Sequence, residues 1–140
     1  IEKLLHLGVV PIINENDPVS IEELESKGFF SDNDSLAALC AINFKADLLI
    51  ILTDVAGIFD SNPKSNQKAI LINDSKMLGE FRGFGEEKSA VGRGGVLSKT
   101  EAAKKVLKNG ISAVICKAEK DALKNIFEGK INGSYFRHED

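Results

Sequence analysis

Two apolar rhythms alternate along the chain. Short unbroken runs, "VVPII" (9–13), "DLLIILT" (47–53) and "ISAVICKA" (111–118), read as strands buried on both faces. Pro11 removes one ladder donor from the first of them. Between the runs lie segments with helical spacing. "IEKLLHLG" reads as the last turns of an amphipathic helix closed by Gly8. "DNDSLAALCAINFKA" reads as a helix capped by Asp32 or Asn33, with Leu36, Leu39, Cys40 and Ile42 as its apolar positions. "VLSKTEAAKKVLKNG" predicts a helix ending at Gly110, and "EKDALKNIFEGK" a further one. "AILIN" and the closing "GSYF" read as short strands, and "DSKMLGEFRG" as a short helix. Residues 19–31 fit either a short helix or a hairpin turning at Gly28. The glycine-rich stretch 83–95 reads as a mobile loop. Strands alternating with helices predict an α/β fold with a mainly parallel sheet.

Polar residues gather where such a fold binds its ligands. "NEND" (14–17) follows the first apolar run, and Thr53 and Asp54 follow the second. In open α/β sheets, ligands sit beyond the carboxyl ends of the strands. Asn and Asp also form ordinary turns, which is an even alternative for Asp54 alone. It is a weaker one for "NEND" followed by "DND" at Asp32, Asn33 and Asp34. A second signal is "GRGGVLSK", where Gly92, Gly94 and Gly95 lead straight into a helix. The free N–H groups and positive dipole end of that helix suit a phosphate. Lys99, about one turn into the helix, can lean back toward the loop. The spacing is not that of a Walker A motif.

Composition narrows the functions without choosing one. The 140 residues are 43% hydrophobic and 28% charged, as in an ordinary soluble domain. A net charge of −3 argues against nucleic acid or an anionic membrane as partner. No apolar run approaches the roughly 18 residues that span a bilayer. Cys40 and Cys116 lack CxxC spacing and read as reduced, buried thiols of a cytoplasmic protein. His6 and His138 have no metal-ligand company. Lys104, Lys105 and Lys108 read as a solvated helix face, and Glu22, Glu23 and Glu25 as an exposed acidic one. No Ser/His/Asp or Cys/His pairing supports covalent catalysis.

Taken together, "PIINENDPVS", "SDNDSLAAL", "ADLLIILTDVAGIFDSNP", "GRGGVLSKTEAAK" and "GSYF" resemble the amino acid kinase family, and within it the glutamate 5-kinases. "NEND" is the most specific marker; the Thr-Asp pair and the glycine loop with its lysine are shared more widely. The resemblance implies a three-layer α/β sandwich. It implies that residues 1–140 are the C-terminal, nucleotide-binding part of one such domain, with the N-terminal half ahead of Ile1 and no room for a PUA domain after "GSYF". It implies transfer of a phosphoryl group from ATP, with Mg2+ held mainly by the nucleotide phosphates, to the side-chain carboxylate of L-glutamate. That is the first step of proline synthesis, carried out by a homo-oligomer in the full-length protein. Carried over by motif, Asp17, Asn33 and Asn14 would bind substrate. Thr53, Asp54, Arg93, Gly94, Gly95, Val96, Leu97 and Ser98 would bind nucleotide. Lys99 would reach the transferring group, and Asp34 would organise the active-site lysines. The chain alone would be inactive. Two other readings stay open: another small-molecule kinase of this fold, and a nucleotide- or amino-acid-binding module without catalysis.

Overall fold

A computed structural model describes residues 1–14, 33–83 and 95–138. The elements in chain order are α1 (Glu2–His6), α2 (Asn33–Asn43), β1 (Leu48–Thr53), α3 (Ser75–Glu80), α4 (Val96–Leu107), β2 (Ser112–Lys117), α5 (Ala122–Phe127) and β3 (Gly133–Phe136). β1 and β2 pair in parallel, Leu48 opposite Ser112 through Thr53 opposite Lys117. β3 joins the other side of β2 antiparallel, with Gly133 opposite Cys116. The expected parallel pairing holds for β1 and β2, and β3 makes the sheet mixed.

Two helices end as Gly8 and Gly110 predict, and the last helix ends in the same way at Gly129. Gly8, Gly110 and Gly129 all have positive φ, and the N–H of the residue after each returns to a carbonyl five residues back. This is the Schellman closure, which satisfies carbonyls that the helix leaves without partners. α2 closes the same way on Lys45, a non-glycine residue at φ 52°.

Side chains alternate across the sheet with the period of two that strands impose. Leu49, Ile51, Ala113, Ile115 and Phe136 face one core, which α2 and α4 cover with Ala38, Ala41, Ala102, Ala103 and Val106. The alanines let the two helices and the sheet approach closely. Val114 and Cys116 face the opposite side, where Ile126 of α5 packs on them. Helices on both faces of the sheet give three layers.

Three expectations about strands need correction. Residues 9–13 form no strand among the described residues, and Val10 and Ile12 are 83% and 95% exposed. An apolar run becomes a strand only when a neighbouring strand takes its backbone hydrogen bonds, and none of the described residues does so here. β1 is buried fully on one face only. Leu48 and Ile50 are half-buried at the margin of the cluster that Ile126 of α5 forms with Val114 and Cys116 of β2, and Leu52 is exposed. "AILIN" contributes a single bridge, Leu71 to Phe59, rather than a strand. The alternatives at 19–31, the caps at Asp32 and the glycine-rich stretch 84–94 lie outside the described residues.

Candidate active site

Topology brings the polar clusters to one edge of the sheet. Short connections, 44–47 and 108–111, join α2 to β1 and α4 to β2, so each helix runs back against its strand. The N-termini of α2 and α4 therefore lie at the carboxyl ends of β1 and β2. That is the edge where ligands bind in this architecture.

Asp34, in the first turn of α2, meets the first turns of α4 there. The Lys99 ammonium lies 2.9 Å from Asp34 Oδ2, with both side chains about 15% exposed. The Ser98 hydroxyl donates to the same oxygen at 2.7 Å and also lies 3.0 Å from the Gly95 carbonyl. One carboxylate oxygen thus receives a charged and a neutral donor, which fixes the rotamers of all three side chains. Charge-assisted bonds of this kind are about twice as strong as neutral ones. At the end of β1 the Thr53 hydroxyl donates to Asp54 Oδ1 at 3.1 Å; Thr53 is buried and Asp54 exposed.

The remaining expected site residues divide. Asn33 is exposed at the head of α2, and Asn14 is exposed at the end of the irregular segment 9–14. Gly95 is the N-cap of α4, with no side chain over the helix end. Leu97 is half exposed, and Val96 turns its side chain into the core. Asp17, Arg93 and Gly94 lie outside the described residues.

Among the described residues, no group of three His, Cys, Asp or Glu side chains is placed to hold a metal ion. No described helix is long and apolar enough to cross a membrane. Both cysteines are free, Cys116 buried and Cys40 partly so; burial and then the nearby Glu119 charge push the Cys116 thiol upward.

Two features escaped the sequence reading. Lys104, expected on a solvated face, is only 15% exposed in its side chain. Its ammonium donates to the Phe81 carbonyl at 3.0 Å as well as pairing with Glu101. Gly133 and Ser134, which open β3, lie at the same edge as Thr53. A Cβ on Gly133 would stand 2.5 Å from Cys116 Cβ and 2.6 Å from the Ile115 carbonyl oxygen. The small pair at the head of "GSYF" was the signal available for the second.

Comparison with known proteins places this arrangement. The profile of the amino acid kinase family matches residues 1–117. The chain belongs to the amino acid kinase family. Curated relatives named glutamate 5-kinase include one from Clostridium acetobutylicum, 42% identical over 95% of this chain and 49% of its own length. One from Geobacillus thermodenitrificans is 45% identical over 96% of this chain and 36% of its own. This amino acid kinase chain thus spans about half or less of the relatives it matches. Solved structures share its fold. The uridylate kinase of Archaeoglobus fulgidus aligns at TM-score 0.55 and 20% identity, over 96% of this chain and 65% of that one. The isopentenyl phosphate kinase of T. acidophilum aligns at 0.54 and 19%, over 97% and 63%. Carbamate kinase from Giardia lamblia, solved bound to AMP-PNP, aligns at 0.53 and 22%, over 73% and 31%.

Proposed function

We propose that this chain is the nucleotide-binding part of a kinase that transfers the γ-phosphoryl group of ATP to the side-chain carboxylate of L-glutamate. The product is γ-glutamyl phosphate, the first intermediate of proline synthesis. The observation that carries this reading is the Asp34–Ser98–Lys99 cluster at two adjoining helix N-termini, in a chain 42% and 45% identical to relatives named glutamate 5-kinase.

The reaction asks little covalent chemistry of the protein. A substrate carboxylate oxygen attacks the γ-phosphorus, the bond from that phosphorus to the β–γ bridging oxygen breaks, and ADP leaves. The nucleophile is already ionised, so no strong general base is needed. Catalysis then rests on holding the groups in line and stabilising spread negative charge. Lys99 supplies a cation, and Asp34 holds it aimed rather than free to rotate. The α4 N-terminus offers Gly95 with no Cβ over the helix end, and the first-turn N–H groups of Val96, Leu97 and Ser98, to phosphate oxygens. Arg93 and Gly94 complete the loop in this reading. Thr53 and Asp54 face the nucleotide from β1. Asp17 pairs with the substrate ammonium, with Asn33 and Asn14 beside it. Mg2+ arrives on the ATP phosphates, whose charge it neutralises. The enzyme works in the cytoplasm as a homo-oligomer.

The test is ADP release by the full-length protein with L-glutamate, UMP, carbamate or isopentenyl phosphate as acceptor. Release that saturates with L-glutamate, and forms a hydroxamate with hydroxylamine, supports the proposal. Release with another acceptor alone assigns a different kinase of the family. ATP binding without turnover on any acceptor assigns a non-catalytic module.

A further inference from the structure

Among the described residues three polar residues are buried, Thr53, Thr100 and Ser134, the last two fully. Thr100 bonds within its own helix, to the Val96 carbonyl at 2.7 Å, and Thr53 bonds to its neighbour Asp54. Ser134 alone reaches across the fold. Its Oγ accepts the Ile58 N–H at 2.9 Å, and its hydroxyl donates to the Ile58 carbonyl at 3.3 Å. That carbonyl also accepts the Ile72 N–H at 2.7 Å. A buried N–H needs a partner somewhere, and one acceptor would suffice. Two bonds from one hydroxyl to both peptide groups of a single residue do more, because they fix the direction of the chain there.

Gly57 makes this approach possible. A Cβ at Gly57 would stand 2.7 Å from Ser134 Oγ, 2.9 Å from the Ser134 nitrogen and 2.8 Å from Leu71 Cδ1. The segment leaving β1 is therefore pressed onto the first residues of β3. Gly133 pairs with Cys116, near the carboxyl end of β2, so this clamp lies at the edge that carries Thr53 and Asp54. Only two residues, Val55 and Ala56, separate Asp54 from the clamped Gly57–Ile58 peptide. The backbone is thus anchored on both sides of Asp54, by β1 behind it and by Ser134 ahead.

We propose that Ser134, seated against Gly57, is a positioning residue for the nucleotide end of the site. It aims the segment 54–57 and through it the Asp54 carboxylate, without touching nucleotide. The proposal rests on the reading that Thr53 and Asp54 face the nucleotide. A purely structural Ser134 would lower stability and leave nucleotide affinity alone.

The experiment is a chemical-shift titration of the full-length protein with MgATP, at a temperature well below the melting point of every variant. Ser134→Ala removes the clamp from β3, and Gly57→Ala pushes the segment off it from the other side, so each carries the test if the other does not fold. Ile126→Val, on the opposite face of the sheet, serves as a destabilised control. The expected result is a five- to tenfold weaker Kd for MgATP in both clamp variants, about 1–1.4 kcal/mol. Ile58 N–H exchange should be at least tenfold faster in Ser134→Ala. The control should lose melting temperature and keep its Kd within twofold. Kd values within twofold of the parent in both clamp variants would overturn the proposal and leave the nucleotide reading standing. A full-length parent protein that binds no MgATP would overturn the nucleotide reading and the proposal with it.

Discussion

The Lys99–Asp34 pair can be tested by breaking it from each side and from both. At 2.9 Å and an effective dielectric of about 20, the gross attraction of the two charges is about 6 kcal/mol. Most of that is returned as the cost of removing both groups from water. Cutting one partner from a fully buried pair costs about 3–5 kcal/mol. Here both side chains keep about 15% exposure, and Asp34 retains the Ser98 hydroxyl, so water and that bond recover part of the loss. Lys99→Met should therefore destabilise the chain by about 2 kcal/mol, and Asp34→Asn by about 1–2 kcal/mol. The double variant should cost less than the sum, leaving a coupling energy of about 1–2 kcal/mol. Urea unfolding of the four proteins at pH 7 and low salt measures the cycle. In the full-length protein Lys99→Met should lower turnover by about 10²–10³-fold while the KM for glutamate moves only a few-fold. Additivity within about 0.3 kcal/mol would show that the two charges do not act as a unit. Near-normal turnover would remove Lys99 from the phosphoryl-transfer step.

Four further outcomes follow from the site and its frame. Gly133→Ala should destabilise the chain by at least about 2 kcal/mol, because its Cβ would overlap the backbone of β2; an unchanged thermal midpoint would contradict that packing. Asp17→Asn in the full-length protein should raise the glutamate KM about 100-fold at similar turnover, since it removes the charge proposed for the substrate ammonium; steady-state kinetics decide it. The Ile70 N–H and the Ser61 hydroxyl hold the exposed Asp60 carboxyl below the usual aspartate range. Its small contribution to stability is therefore present above the unfolded pKa and lost as pH falls through the lower folded value, which an NMR titration followed at the Ile70 amide would read. Cys116 should resist alkylation in the native chain at pH 8 while Cys40 reacts first, because burial both shields the Cys116 thiol and disfavours its thiolate; equal rates by mass spectrometry would refute this.

Local chemistry made several elements readable without coordinates. β1, β2 and α4 carry their periods in adjacent residues, and Gly8 and Gly110 mark helix ends because few other residues adopt positive φ. The family resemblance had Asp34 organising the active-site lysines, and the structure shows its ion pair with Lys99. What the sequence could not supply was anything set by distant parts of the chain. "VVPII" has a strand's composition but lacks a described neighbour to pair with, since pairing is a property of two segments. The outer face of β1 is only half-covered, with Leu48 and Ile50 at the margin of the cluster that Ile126 of α5 forms on β2, which the apolarity of "DLLIILT" does not reveal. Ser98 reads as a nucleotide contact in its motif, yet its hydroxyl is turned to Asp34 across a separation of 64 residues. Ser134 and Ile58 stand 76 residues apart and meet only once β3 lies antiparallel on β2. Periodicity and capping are written in neighbouring residues, whereas close approach, burial and shared hydrogen-bond acceptors exist only after the helices and strands have packed.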